Sequence, residues 1–282
     1  MATFHIRYPG GLAKAVTFSY DDGVEQDIRL VDIFNKNGIK GTFNINTGSF
    51  AEEGHVYPKG QVHRRMSKSQ TYELFANSPH EVAVHTLNHP FLEQLPTAMV
   101  LNEVLNDRKN IEEMFGTMAR GMAYPFGTTS DDVVNALKGC GIVYSRTTKT
   151  TGSLELQKTD WLRLAATCHH KSSELEKLSD KLINEKPTRA PWLLYVWGHS
   201  YEFESDDNWH IIENLCEKIG NKDDIWYATN IEIFDYITAY NSLVFSVTGN
   251  MVYNPTSTEV FFTDSRAHKN YSVKPGETKV LF

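Results

Sequence analysis

Short apolar runs alternate with longer amphipathic ones through the first 240 residues, and that alternation restricts the fold more than any other feature. Strands are expected at 14–20, 40–45, 81–85, 121–124, 142–146, 162–167, 192–198 and 225–228. Helices are expected between several of them. Stretch 27–36 carries Ile28, Leu30, Val31, Ile33 and Phe34, and 97–115 follows Pro96 with Val100, Val104, Leu105 and Ile111 near helical period. Shorter versions lie at 130–137, 173–183 and 209–219. Seven or eight such units in roughly 240 residues favour a closed barrel over an open sheet.

The texture changes after Tyr240. Runs of β character at 243–248, 251–254, 259–263 and 279–282 are separated by the turn pairs Gly249-Asn250, Asn254-Pro255 and Pro275-Gly276. Too short for an independent core, 241–282 is read as a small β appendage packed on a barrel of 1–240. A net charge of −7 argues against nucleic acid as a partner. The chain opens without a basic segment leading into an apolar run, and no stretch approaches the ~18 apolar residues of a membrane span. Cys140, Cys168 and Cys216 form no CxxC pair, which fits reduced thiols and a cytoplasmic location.

Residues of acid–base and metal-binding type collect just beyond the C-terminal ends of the expected strands, the face where a β/α barrel gathers its loops. Asp21-Asp22-Gly23 ends the first strand. As a polar turn it needs no chemistry, but one carboxylate can hold a metal while its neighbour takes a proton. His85-Thr86-Leu87-Asn88-His89-Pro90 opens from the third strand, and two histidines four apart can pinch a metal. Pro90 disfavours helical geometry at His89, so a tight turn leading into a helix is expected. Tyr124-Pro125-Phe126-Gly127 makes a stiff turn whose amides can face the site, and the run ending in Trp197-Gly198-His199 delivers a histidine at a strand end. Two histidine nitrogens and a carboxylate oxygen leave a metal with open positions, as catalysis requires.

This ordered set resembles the polysaccharide deacetylase family, also called the NodB-homology or carbohydrate esterase 4 family, over about residues 12–240. The resemblance implies an α/β fold, a distorted (β/α) barrel of about seven units. It implies Asp21 as general base, and Asp22, His85 and His89 as ligands of a divalent metal. The nitrogen-rich ligand set makes that metal zinc, with cobalt or nickel as substitutes. It also implies that the Phe126 amide holds the oxyanion and that His199 protonates the leaving group. The implied reaction is removal of acetyl from an N- or O-acetylated saccharide by metal-bound water.

The chain departs from the family in three places. Ala123 stands where an arginine usually orients the catalytic aspartate, and Arg146, at the end of the 142–146 strand, is the better substitute by location. No aspartate follows that strand where the family's Asp-Trp motif belongs; Asp160-Trp161 comes later. Trp197 replaces a leucine that lines the acyl pocket, narrowing it or offering a stacking face. Trp197, Tyr124 and His169 are the candidate substrate contacts. Glu202 reads as a loop acid, and Thr229-x-x-Glu232 as the cap of a further helix. Two other readings stay open: an amidase or deformylase acting on a small amide, ureide or cyclic imide, and a catalytically silent carbohydrate-binding protein. The oligomeric state is not encoded in any of these features.

Overall fold

The structure, a computed structural model, describes residues 4–156, 159–264, 267 and 269–282. In chain order the elements are β1 (Phe4–Arg7), β2 (Lys14–Asp21), α1 (Gln26–Lys36), β3 (Thr42–Ile45), α2 (Lys68–Phe75), β4 (Glu81–Val84), α3 (Thr97–Phe115), β5 (Gly121–Ala123) and α4 (Asp131–Gly139). Then come β6 (Tyr144–Thr150), β7 (Leu164–Ala166), β8 (Cys168–His169), α5 (Leu175–Asn184), β9 (Trp192–Gly198), α6 (Tyr201–Ser205), α7 (His210–Ile219), β10 (Ile225–Tyr227) and α8 (Asn230–Asn241). Short strands β11 (Val244–Phe245), β12 (Met251–Tyr253), β13 (Val260–Asp264), β14 (Lys269–Val273) and β15 (Thr278–Val280) complete it.

Every side chain of β2 is buried, the mark of a parallel strand covered on both faces. It pairs with β9 from Lys14 to Tyr20 and with β3 from Ser19 to Asp21, while β10 lies against its first three residues. From β3 the parallel ladder continues through β4, β5 and β6. Closure falls to the 164–169 segment: β7 pairs with β6, and β8 immediately afterwards pairs with β9. The chain is therefore an α/β protein with a distorted barrel, as its repeating units imply. Its distortion is localised where Arg146 pairs with Leu164 but Thr150 with Ala166, four residues of β6 spanning two of β7.

Helices α1, α5 and α7 cover one side of the barrel around Phe18, Phe34, Leu182 and Ile212, and α3 and α4 cover another around Val104, Ile111 and Leu137. The expected cap at Thr229 is present: Thr229 and Glu232 form a reciprocal capping box at the start of α8. Beyond α8 two antiparallel sheets, β11–β12–β15 and β1–β13–β14, share a core that includes Val252, Phe262 and Val273. The N-terminal strand β1 thus pairs with a strand of the C-terminal region. Tyr236 of α8 ties this region to the barrel, its hydroxyl donating to the Arg7 carbonyl at 2.7 Å and accepting from Phe261 N–H at 2.9 Å.

Several elements differ from expectation: β1, β14 and the short helix α6 were not anticipated. β6 starts at Tyr144 and runs on to Thr150, and the 162–167 strand begins in a 3-10 turn at Trp161–Arg163. Helix α2 buries only Thr71 and Phe75, too little periodicity to register, although Ser67 and Gln70 form a capping box.

Candidate active site

The barrel brings Asp21, Asp22, His85, His89 and His199 together at the C-terminal ends of β2, β4 and β9, and adds Arg146 from within β6, level with Ala123 at the end of β5. The backbone is strained there. Asp22, Thr86, His89 and Phe126 have φ of 88°, 67°, 58° and 58°, a region that side chains other than glycine seldom occupy. Such strain costs about 1–3 kcal/mol per residue and persists only where neighbours fix it. Here Asp22 N–H donates to the Asn44 carbonyl at 2.9 Å, and His89 N–H to Thr86 Oγ1 at 3.0 Å. Asn46 Nδ2 donates to both the His85 and Thr86 carbonyls. The His85–Pro90 stretch is accordingly a tight turn ahead of α3, as Pro90 foretells.

Asp22 Oδ1 lies 3.8 Å from Nε2 of both His85 and His89. All three ligand atoms lie within 4.8 Å of one another. Around a tetrahedral zinc, bonds of ~2.0–2.1 Å put neighbouring ligand atoms roughly 3.4 Å apart, so a small contraction completes the set. The His85 ring is already set for this: its Nδ1 lies 2.8 Å from the Ala123 carbonyl, so that Nδ1 carries the hydrogen and Nε2 presents its lone pair. Burial lowers the basicity of His85, and it lowers that of His89 to about 4, so both imidazoles are neutral donors. Asp22 is pushed up by burial but held well below the carboxylate range by His63, Arg65 and His85. The donor set fits a divalent cation. Buried Asp107 of α3 supports it from behind, accepting from His85 N–H at 3.0 Å and from Thr47 N–H at 2.8 Å.

Asp21 faces the barrel axis. Its Oδ2 pairs with Arg146 Nη2 and its Oδ1 accepts from Asn44 Nδ2 at 2.9 Å. The guanidinium also donates to Ser19 Oγ at 3.2 Å and lies 4.5 Å from the centre of the Trp197 ring. Burial pushes the Asp21 carboxyl up, but Arg146, with His85 and His199, outweighs burial and holds it below its usual range. Arg146 therefore reaches the aspartate from the strand after Ala123. His199 follows β9, its Nε2 3.9 Å from Asp21 Oδ2. Burial lowers its basicity, yet Glu202, Asp21 and Asp22 raise it further, for a net upward shift.

The substrate contacts expected from sequence fare differently. Tyr124 is buried and its hydroxyl donates to the Leu162 carbonyl at 2.7 Å, so it packs in the layer under α3 and α4 and does not line the site. Trp197 is 8% exposed and packs inside the barrel beneath Arg146 and against His169, which removes the open stacking face expected of it. His169 keeps part of its ring exposed and points Nε2 at Glu202, 3.2 Å away. Phe126 is half exposed, edge-on to His89 and stacked on Phe91 with ring centres 3.7 Å apart.

Several neighbours of the site had no signal strong enough to find. Arg65 donates to Asp22 Oδ1 at 3.1 Å and to Asn46 Oδ1 at 2.8 Å, and His63 Nε2 lies 3.3 Å from Asp22 Oδ2. Both come from an irregular segment before α2, held by Arg64 pairing with Glu25 and Glu204 at 2.7 Å. Glu202 is the other; its spacing of three from His199, opening a helix, was the available clue. A cavity of 230 Å³ lined by Thr17, Tyr195 and Asn230 contains none of the clustered groups.

A parallel barrel with carboxylates and histidines at its C-terminal mouth defines a β/α-barrel protein equipped for hydrolytic chemistry. The polysaccharide deacetylase family profile matches residues 9–145, and the chain contains a polysaccharide deacetylase domain of the NodB-homology type. A Mycobacterium smegmatis structure named for the polysaccharide deacetylases superposes with a TM-score of 0.56 at 14% identity, covering 86% of this chain and 96% of that one. A family 4 carbohydrate esterase from Streptomyces lividans in complex with acetate is similar at TM-score 0.49 and 13% identity, over 77% of this chain and 93% of that one. A Streptococcus pyogenes deacetylase in complex with acetate is similar at TM-score 0.45 and 21% identity, over 52% of this chain and 61% of that one. No curated protein matches the chain.

Proposed function

We propose that this chain is a divalent-metal-dependent hydrolase that removes acetyl from an N- or O-acetylated saccharide. The observation that carries the reading is the Arg146-paired Asp21 lying between the Asp22–His85–His89 set and His199. Asp22, His85 and His89 would hold the ion, which when bound supplies Lewis acidity for the acyl carbonyl and for a water. The donor set favours zinc, with cobalt or nickel able to replace it.

The chain's own residues do the proton work. Asp21, ionised because Arg146 opposes burial, takes the proton of the attacking water at Oδ2. The Phe126 amide, in a turn with left-handed geometry at that residue, is the candidate donor to the developing oxyanion. His199 gives the proton at Nε2 to the departing nitrogen or oxygen, and its raised basicity supplies that proton near neutrality. The exposed Phe91–Phe126 pair beside His89 offers the apolar face of a sugar ring a platform.

Three free, buried cysteines support a cytoplasmic setting, and no helix among the described residues is long and apolar enough to cross a membrane. The test is a release assay reading acetate, ammonia and formate over acetylated saccharides, ureides and cyclic imides, with and without chelator. Chelator-sensitive acetate release is the expected result. Ammonia or formate alone would transfer the chain to the small-amide reading, and binding of saccharide without any release to the silent one.

A further inference from the structure

Glu202 sits at the centre of three histidines. Its Oε2 is 3.1 Å from His170 Nε2, 3.2 Å from His169 Nε2 and 3.7 Å from His199 Nδ1, and its Oε1 is 3.4 Å from Lys171 Nζ. A carboxylate ringed by imidazoles also describes a cation site, and His169, His170 and Glu202 are close enough to form one. The hydrogens argue otherwise. Lys171 N–H donates to His169 Nδ1 at 3.1 Å, so the neutral His169 ring carries its hydrogen on Nε2 and offers Glu202 a donor, with no lone pair left for a metal. Lys171 Nζ adds a positive charge where a second cation would have to sit.

We propose that Glu202 is a positioning residue for the proposed deacetylation: it receives the Nδ1–H of His199, so that Nε2 faces Asp21 and the departing group with the transferable proton. The inference rests on the reading of His199 as proton donor. In the transfer the Nε2–H bond breaks and that hydrogen bonds to the leaving nitrogen or oxygen. The ring is left neutral, with its remaining hydrogen on Nδ1 facing Glu202.

Three observations carry it. First, the carboxylate is anchored at a fixed place: Ser200 is fully buried and its Oγ donates to Asp27 Oδ1 at 2.6 Å, and Glu202 N–H donates to the His199 carbonyl at 3.1 Å, so one helical turn joins acid and histidine. Second, of the two further imidazoles on that oxygen, the nearer and buried one, His170, does not neutralise it. His170 is 1% exposed, and burial pulls its basicity down to about 4. Third, the 3.7 Å separation is longer than a hydrogen bond, as catalytic contacts often are before substrate arrives, and closing it needs less than 1 Å of side-chain movement.

The experiment uses the full chain with ¹⁵N-labelled histidine, as the native protein, Glu202→Gln and Glu202→Ala. Imidazole ¹⁵N resonances assign the tautomer of His199, and acetate release from an N-acetylglucosamine oligomer gives kcat and KM. In the native protein the neutral His199 ring carries hydrogen on Nδ1, and in Glu202→Ala it turns to the Nε2–H form that free imidazole side chains prefer. kcat falls about 100-fold in Glu202→Ala, and less in near-isosteric Glu202→Gln, with KM within about twofold in both. An Nδ1–H tautomer that survives Glu202→Ala, or kcat unchanged in both variants, overturns the proposal. If the native protein releases no acetate, the deacetylase reading fails by itself, and the tautomer still decides whether Glu202 sets His199.

Discussion

Replacing Arg146 with alanine removes the partner of a buried carboxylate, and the surroundings of Asp21 set the size of the effect. The two side chains are 1% and 4% exposed, so water cannot take the place of the guanidinium. What remains for Asp21 is one hydrogen bond from Asn44, while Ser19 Oγ, the Thr147 carbonyl and the Trp197 face lose their contacts with Arg146. Removing one member of a buried pair costs about 3–5 kcal/mol, because the survivor keeps its desolvation penalty unopposed. Urea unfolding of Arg146→Ala should show a loss of that order, and kcat should fall at least about 100-fold as the base loses its ionised, oriented state. Arg146→Lys should recover part of both, since an ammonium supplies charge without the fork. The double variant Arg146→Met/Asp21→Asn is the discriminating arm. It should regain most of the stability and none of the activity, because no charge is left buried. A loss below about 1 kcal/mol in Arg146→Ala, or a double variant no more stable than the single, would refute the argument that this pair is a high-stakes buried ion pair.

Other expectations follow from the same geometry. Zinc at a thousandfold excess over its dissociation constant should stabilise the native protein by about 4 kcal/mol in thermal melts, and His89→Ala should lose most of that gain; equal responses would remove His89 from the ligand set. Glu81 is wholly buried and pushed up to about 7 by burial, so between its ordinary 4.5 and about 7 the native state binds more protons than the unfolded one. The contribution of Glu81 to stability should therefore be fullest below about 4.5 and be lost as pH rises through 7. Glu81→Gln should flatten the overall slope only in part, because Asp27 and Asp107 are also pushed up to about 7. Trp197→Leu should cost about 1–3 kcal/mol and lower kcat by loosening Arg146. A larger shift in propionyl-to-acetyl preference than in kcat would instead place the indole in the acyl pocket.

The legible parts of this molecule are those written in local pattern. β9 is a contiguous apolar run and β2 an apolar-rich one with small polar residues at Thr17 and Ser19, and they lead into His199 and end at Asp21, so both the strand and its functional tip could be read together. Arg146 was legible from an expected strand end at 146; β6 in fact runs on to Thr150, but Arg146 lies level with Ala123 at the end of β5, which puts it near the same mouth. Tyr124 was misplaced, and the open stacking face expected of Trp197 is absent, because a strand-end aromatic can face the mouth or the packed interior, and only the twist and neighbours decide. Glu202, Arg65 and His63 lie on an irregular segment and a short helix, where no hydrophobic period fixes direction. The β1–β13 pairing joins residues about 260 apart in sequence and has no local signature.

The measurement that bears most directly on the central claim is acetate release by the metal-loaded protein, repeated after chelation and again after zinc is restored. It should use whichever acetylated saccharide in the panel is turned over fastest. The account predicts acetate as the product, a loss of at least about 100-fold on chelation, and recovery with zinc that Asp21→Asn does not share. Acetate release that chelation leaves unchanged, or that Asp21→Asn retains in full, would contradict it.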